Sequence, residues 1–106
     1  MITVTIHRSN DSYAGFKVVG HAGYAEEGYD IICAAVSVLV VNAVNSIETF
    51  TDDKFAARED HGIVELILED SVSDKTTLLL DSMILGLRDI QTQYGNEFIR
   101  LKIEEV

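Results

Sequence analysis

The sequence predicts an α+β fold, in which a mostly antiparallel sheet packs against two helices in the order ββαββαβ. Two pairs of short segments with alternating apolar residues are each joined by a polar turn, which is typical of β-hairpins. Two longer segments repeat apolar residues at helical spacing, and one more alternating segment follows them. Because an amphipathic helix buries one face, we expect both helices to pack against the sheet.

The first hairpin is predicted at the start of the chain. Ile2, Val4 and Ile6 alternate with polar residues, which indicates a half-buried strand. The polar cluster 10–12 is a turn, and a second strand is predicted over 13–19.

The first helix is predicted after a loop over residues 20–29. Asp30 is a suitable N-cap, and the helix is expected to run to about Phe50. Its first half, 31–41, is apolar nearly all round and should be buried on most sides. Its second half carries a polar stripe at helical spacing: Asn42, Asn45, Ser46 and Thr49.

The second hairpin is predicted after the turn residues that follow this helix. Its strands are expected over 54–59 and 63–68, closed by the turn Asp60-His61-Gly62. Glycine is common in such turns because it adopts left-handed backbone angles without steric cost.

The second helix and the last strand complete the predicted order. Ser73 or Asp74 is the expected N-cap, and Gly95 is the expected end of the helix. A last strand alternates over 98–103. The apolar residues of the helix recur three to five positions apart: Leu78, Leu79, Met83, Leu87, Ile90 and Tyr94.

The composition is that of one globular domain. The 106 residues are 47% hydrophobic and contain no proline, so we expect a single domain over 1–106 without a linker. The first six residues lack a basic region followed by an apolar run, so no secretory signal is expected. The apolar stretch 31–41 is too short to span a bilayer. A single cysteine cannot form an intrachain disulfide, which favours the reducing cytoplasm.

The net charge argues against two classes of partner. The chain has 18 acidic and 8 basic residues, a formal charge of -10. Nucleic acids and anionic membranes attract lysine and arginine, so neither is an expected partner. The negative field suits a basic partner, although the same charge also keeps an ordinary protein soluble.

The segment 20–37 carries the residues most suited to catalysis. Cys33, the only cysteine, lies near the predicted start of the first helix, and His21 follows the second strand. A helix N-terminus and a nearby imidazole both stabilise the thiolate, which is the nucleophilic form of cysteine. An imidazole within hydrogen-bond reach would act as general base, and then as acid toward a leaving amine.

Four more residues of this segment are candidates for supporting the site. Gly20 and Gly28 let the backbone bend sharply or approach a substrate closely. Ser37 follows Cys33 by four residues and so shares its helix face. Asp30 is interpreted mainly as a helix cap and only secondarily as a partner that orients His21, because a negative charge near the cysteine opposes thiolate formation.

The residues alone leave other interpretations open. A lone cysteine in an apolar helix is more often a small buried side chain, and a histidine beside glycine is more often a surface residue. A metal site from His7, His21 and His61 lacks ligand spacing, so we expect no metal and no cofactor. The loop also lacks the Gly-Lys-Ser/Thr ending of a nucleotide-binding P-loop.

The same segment resembles the signature of the ribosomal-processing cysteine proteases, the Prp family. That signature is Gly-His-Ala, five residues, Gly, one residue, Asp, two residues, Cys-Ala-Ala, one residue, Ser. The length and element order also fit, so the resemblance covers the whole chain. Every fixed position is matched: Gly20, His21, Ala22, Gly28, Asp30, Cys33, Ala34, Ala35 and Ser37.

The resemblance implies a bacterial endopeptidase that removes an N-terminal extension from a large-subunit ribosomal protein. It implies that Cys33 is the nucleophile and His21 the general base, with Gly20, Gly28, Asp30 and Ser37 supporting them or binding substrate. Members of the family act without metal and as homodimers, and a basic ribosomal substrate suits an acidic chain.

A non-catalytic dimeric module that binds a ribosomal or ribosome-assembly protein is the alternative function, with Cys33 buried. Alkylation of the native protein discriminates between them, since a buried thiol reacts slowly at neutral pH and a helix-end thiolate reacts fast. With either function, the apolar side chains of the first helix must be shielded from water by the second helix or by a second subunit. We expect a homodimer.

Overall fold

The computed structural model describes residues 1–20, 29–60 and 62–106. Its elements confirm the predicted fold class and order. They are β1 (Ile2–Ser9), β2 (Ser12–Val19), α1 (Tyr29–Phe50), β3 (Phe55–Asp60), β4 (Ile63–Leu68), α2 (Asp74–Tyr94) and β5 (Ile99–Glu105).

Within the described ranges, five strands form one sheet in the order β3-β4-β2-β1-β5. Among the described strands, three pairings are antiparallel, and only β1 with β5 is parallel. The parallel pair arises because α2 carries the chain from β4 across to the far edge of the sheet. The mixed sheet is therefore mostly antiparallel, as the sequence predicts.

Both helices cover the same face of the sheet. The alternate residues Ile2, Val4 and Ile6 of β1 are at most 2% exposed, and they share one core with Ile47 of α1 and Leu87 of α2. Burying one such side chain contributes roughly 1.5–3 kcal/mol. This core fixes the position of α1, and hence of Cys33, over the sheet.

The two helices approach each other closely at Gly86 of α2. A Cβ at that position would lie 2.9 Å from Cδ1 of Leu39 on α1. Glycine therefore makes room for a leucine of the neighbouring helix, and the contact holds α1 against α2.

The ends of α2 lie where the sequence predicts them. Ser73 is the N-cap, and its Oγ accepts a hydrogen bond from the N–H of Thr76 at 3.3 Å. Gly95, at φ +95°, ends the helix, and its N–H donates to the carbonyl of Gln91 at 2.9 Å. Glycine suits this position because the backbone is left-handed there.

The buried face of α2 matches the predicted apolar positions at Met83, Leu87 and Ile90 and differs from them at Leu78 and Tyr94. Leu78 and Tyr94 are 69% and 48% exposed, whereas Leu80 and Ile84 are buried. The helix has apolar residues on more than one side, so their spacing alone does not identify the side that faces the sheet.

The first half of α1 is not buried on most sides within one chain, contrary to the prediction. Ile31, Val38 and Val41 are 64%, 67% and 43% exposed. We call these three side chains the outer face of α1. They lie on the side of the helix that faces away from the core.

The length of α1 also bears on the membrane prediction. The helix continues through its asparagines, and Ile31–Phe50, with a mean hydropathy of 1.9, is long and apolar enough to cross a bilayer by length and composition. The core helix of a soluble protein can have the same length and hydropathy. Ile32, Val36 and Val40 are at most 2% exposed in the apolar core, as in such a core helix.

Candidate active site

Three parts of the chain meet at one end of the sheet, beside the start of α1. The N–H of Gly20, after β2, donates to the carbonyl of Gly62, in the β3–β4 turn, at 3.0 Å. A Cβ on Gly20 would lie 2.3 Å from the carbonyl oxygen of Met1, and its φ is +94°. Glycine is therefore required here for backbone packing between neighbouring strands, before any role toward a substrate.

Cys33 lies on α1 where that helix passes this end of the sheet. Its side chain belongs to the apolar core and is only 9% exposed, yet it also lines an open cleft. A thiol in this position is shielded from bulk water and still accessible to a ligand in the cleft.

The start of α1 corrects the predicted cap. The helix begins at Tyr29, so Asp30 is inside the first turn and is not the N-cap. Cys33 is then the fifth helical residue, and its N–H has the carbonyl of Tyr29 as its intrahelical acceptor. Side chains in a helix lean toward the N-terminus, so the thiol still lies near the positive end of the helix dipole.

Ser37 shares the cleft with Cys33, as their spacing predicts. It is exposed and lines the cleft one helical turn after the cysteine. Its hydroxyl is therefore available to a ligand as a hydrogen-bond donor and acceptor.

The cleft beside Cys33 has a volume of about 460 Å³. Its described lining contains one charged side chain, Glu59 of β3. Val41, at the edge of the outer face of α1, also lines it. The other aliphatic side chains come from the sheet and α1: Ile2, Val18, Val36, Val40, Ile63 and Val64. A cleft of this composition suits an apolar group that has a polar or cationic neighbour.

Some predicted site residues are not among those described. His21 and Gly28 lie outside the described ranges, and so does the side chain of Asp30. The pairing of His21 with Cys33 therefore stays a prediction.

The three histidines weighed as metal ligands can be compared only in part. His7 lies on β1 next to buried Ile6, on the sheet face away from the helices, whereas His21 and His61 are outside the described ranges. Among the residues that the structure describes, no three side chains form a group able to hold a metal ion.

The sequence did not indicate that the β3–β4 hairpin contributes to the site. Glu59, Gly62 and Ile63 line the cleft because β4 pairs with β2, which brings the hairpin turn next to Gly20. The turn itself is predictable, but its neighbour depends on the order of strands in the sheet.

A family model described as cysteine protease Prp matches residues 1–99. The chain is 34% identical over 101 residues to the ribosomal processing cysteine protease Prp of Bacillus subtilis, covering 89% of this chain and 90% of that protein. It is 33% identical over 104 residues to the protein of the same name from Staphylococcus aureus, covering 95% and 97%.

The fold is also that of solved proteases. The crystal structure of the essential ribosomal processing protease Prp from S. aureus with a substrate peptide superposes with a TM-score of 0.90 and 31% identity. The match covers 98% of this chain and 100% of that one. A second structure of that protease, with a covalently linked product peptide, gives a TM-score of 0.87 at 32% identity, again over 98% and 100%. These similarities favour a protease over a non-catalytic binding module.

Proposed function

This chain belongs to the Prp family of cysteine proteases, and on that premise we propose that it is the endopeptidase that removes the N-terminal extension of a large-subunit ribosomal protein. The observation that carries the proposal is the position of Cys33, the only cysteine, beside an open cleft near the start of α1. The relatives from B. subtilis and S. aureus are named ribosomal processing proteases, which supports a ribosomal substrate here.

In the proposed reaction, His21 accepts the proton of the Cys33 thiol, and the resulting thiolate attacks the carbonyl carbon of the scissile peptide bond. The C–N bond breaks, and protonated His21 donates its proton to the leaving amine, which leaves a thioester on Cys33. His21 then takes a proton from water as the water attacks the thioester carbonyl. The C–S bond breaks, the acid product leaves, and the thiolate of Cys33 and protonated His21 are regenerated.

The other motif residues act as supports in this proposal. Gly20, which precedes His21 in the sequence, keeps the end of β2 against Met1 and the hairpin turn. Ser37 offers its hydroxyl to the substrate from the wall of the cleft. Gly28 and Asp30 support the loop and the start of α1, and the whole chain, 1–106, acts as one protease domain.

The proposed substrate is basic, and the proposed compartment is the cytoplasm. A chain with a formal charge of -10 attracts a lysine- and arginine-rich ribosomal protein by its long-range field. The same charge disfavours direct binding of nucleic acid or of an anionic membrane.

The proposed assembly is a homodimer. The outer face of α1 consists of Ile31, Val38 and Val41, which are 43–67% exposed and lie in the first half of the helix that carries Cys33. A second copy that packs on this face would remove the apolar side chains from water and give two equivalent sites.

The function is tested by incubating the purified protein with synthetic peptides from the N-termini of the ribosomal proteins of its own cell. We expect cleavage at a single bond in one of these peptides, read by mass spectrometry. Peptides of the same composition in shuffled order are the control. If no peptide is cut, or if the shuffled ones are cut equally, the proposal is wrong.

A further inference from the structure

Glu59 is held in the wall of the active-site cleft by the register of the sheet. It pairs with Val64 on β4, and Val64 pairs with Val18 on β2, so the three residues form one row across the sheet. The row lies on the face that the helices cover, and all three side chains line the cleft together with Cys33. The carboxylate is therefore part of the surface that a ligand of Cys33 meets.

The charge of Glu59 is not neutralised by the described part of the protein. The residue is exposed, and none of the ion pairs in the described ranges involves it. Its chain neighbour Arg58 lies on the opposite face of the sheet, where it pairs with Glu65 at 3.4 Å. A cation from a ligand would thus pair with Glu59 without displacing a side chain of the described part of the protein.

The remaining lining of the cleft limits the kind of ligand. Aliphatic side chains from β2, β4 and α1 favour an apolar group, whereas the carboxylate at the edge repels an acidic group and attracts a basic one. A peptide meets both conditions when an apolar side chain lies in the cleft and a lysine or arginine lies nearby.

We propose that Glu59 is a specificity-determining residue that selects peptides with a lysine or arginine at one fixed position near the scissile bond. The inference rests on the proposed function, because it assumes that peptides bind in the cleft beside Cys33. The competing explanation is that Glu59 only keeps the exposed edge strand β3 from pairing with other chains. That explanation predicts no effect on peptide choice.

The test is a cleavage profile on a peptide library made by digesting a bacterial proteome. The variants are Glu59→Lys, Glu59→Gln and the matched control Glu69→Lys, which adds the same charge to an exposed residue at the other end of the hairpin. Wild-type products should be enriched in lysine or arginine at one position relative to the cut. We expect Glu59→Gln to lower that enrichment about 2- to 5-fold, the range for an exposed ion pair.

The charge reversal gives the sharper result. Glu59→Lys should prefer aspartate or glutamate at the same position, while Glu69→Lys keeps the wild-type profile. Added salt should weaken the wild-type preference, because the pair is exposed to solvent. An unchanged profile in Glu59→Lys, or an equal change in Glu69→Lys, would overturn the inference.

Failure of the proposed function is distinguished from failure of this inference by a binding measurement. If the wild-type protein cuts no peptide, the proposed function fails, and the library is then captured on immobilised Cys33→Ala with and without Glu59→Lys. Loss of lysine- and arginine-containing peptides on charge reversal supports the role of Glu59. Equal capture by both proteins overturns it.

Discussion

Cys33 combines burial with access. It is 9% exposed and belongs to the apolar core, yet it lines the cleft in which Ser37 and Glu59 also lie. The core fixes the position of the thiol, and a fixed nucleophile holds its geometry toward a bound peptide without a loss of entropy at each turnover. Because the thiol is buried, its thiolate needs a partner that stabilises it, and His21 is the residue proposed for that role.

We predict that His21→Ala lowers kcat/KM for the cleaved peptide by about 10²- to 10⁴-fold at pH 7, the usual contribution of a general base. The remaining activity should rise with pH, because the thiol then ionises without an imidazole. The measurement is the pH dependence of kcat/KM between pH 5 and 9. His7→Ala, on β1, is the control and should keep the wild-type profile; full activity of His21→Ala across this range would remove His21 from the mechanism.

At the scale of the elements, the side chain of Asp53 links the turn after α1 to the start of α2 by hydrogen bonds. Its carboxylate accepts hydrogen bonds from the N–H of Ser73 at 2.9 Å and from its hydroxyl at 2.7 Å. Hydrogen bonds from Thr76 and Ser73 lower the pKa of Asp53 below its ordinary value. The carboxylate form is thus favoured in the folded state, which links the stability of this junction to pH.

We predict that Asp53→Asn lowers the free energy of unfolding by about 1 kcal/mol at pH 7, because a charged acceptor is replaced by a neutral one. Because the pKa of Asp53 is lower in the folded state than its unfolded value of about 3.9, the carboxylate stabilises the fold at pH values above 3.9. This stabilisation is lost as the pH falls through the folded-state pKa. The variant should therefore approach the wild type in stability under acid.

Urea unfolding at pH 7 and at pH 3 measures this difference. Asp52→Asn makes the same change at the neighbouring exposed residue and should leave the stability nearly unchanged at both values. An equal loss of stability in Asp53→Asn at both pH values would show that the linkage does not exist.

The ends of elements were predictable where one residue decides them. The helix α2 starts after Ser73, because the serine hydroxyl accepts a hydrogen bond from the N–H of Thr76. It ends at Gly95, because glycine adopts the left-handed backbone angle required there. The start of α1 was not predictable in this way, since Asp30 suits both a cap and a first turn. The buried face of α2 was also ambiguous, because Leu78 and Leu80 are equally apolar and only the sheet distinguishes them.

At the scale of the whole molecule, the site is assembled from distant parts of the chain. The motif from Gly20 to Ser37 predicts Cys33 as the nucleophile, and the sequence also predicts the helix that carries it. The contribution of Glu59 and Gly62 depends on the pairing of β4 with β2, which no local pattern encodes. The parallel pairing of β5 with β1 is likewise a property of the complete sheet.

The exposed outer face of α1 leads to a prediction about assembly. Val38 is 67% exposed at its centre, so Val38→Glu should convert the proposed homodimer to a monomer at micromolar concentration. Light scattering coupled to size exclusion measures the mass. Ile67→Glu is the matched control, because Ile67 is 51% exposed on the other face of the sheet. A wild-type protein that elutes with the monomer mass contradicts the dimer.

The central claim, that Cys33 is the nucleophile of a peptidase, is tested most directly by comparing peptide cleavage by the wild type and by Cys33→Ser. Serine keeps the shape of the side chain and removes the readily ionised thiol. We predict that the variant loses at least about a thousandfold in kcat, as expected when a catalytic nucleophile is removed, while its melting curve overlays that of the wild type. Cleavage by folded Cys33→Ser at the wild-type rate would contradict the claim.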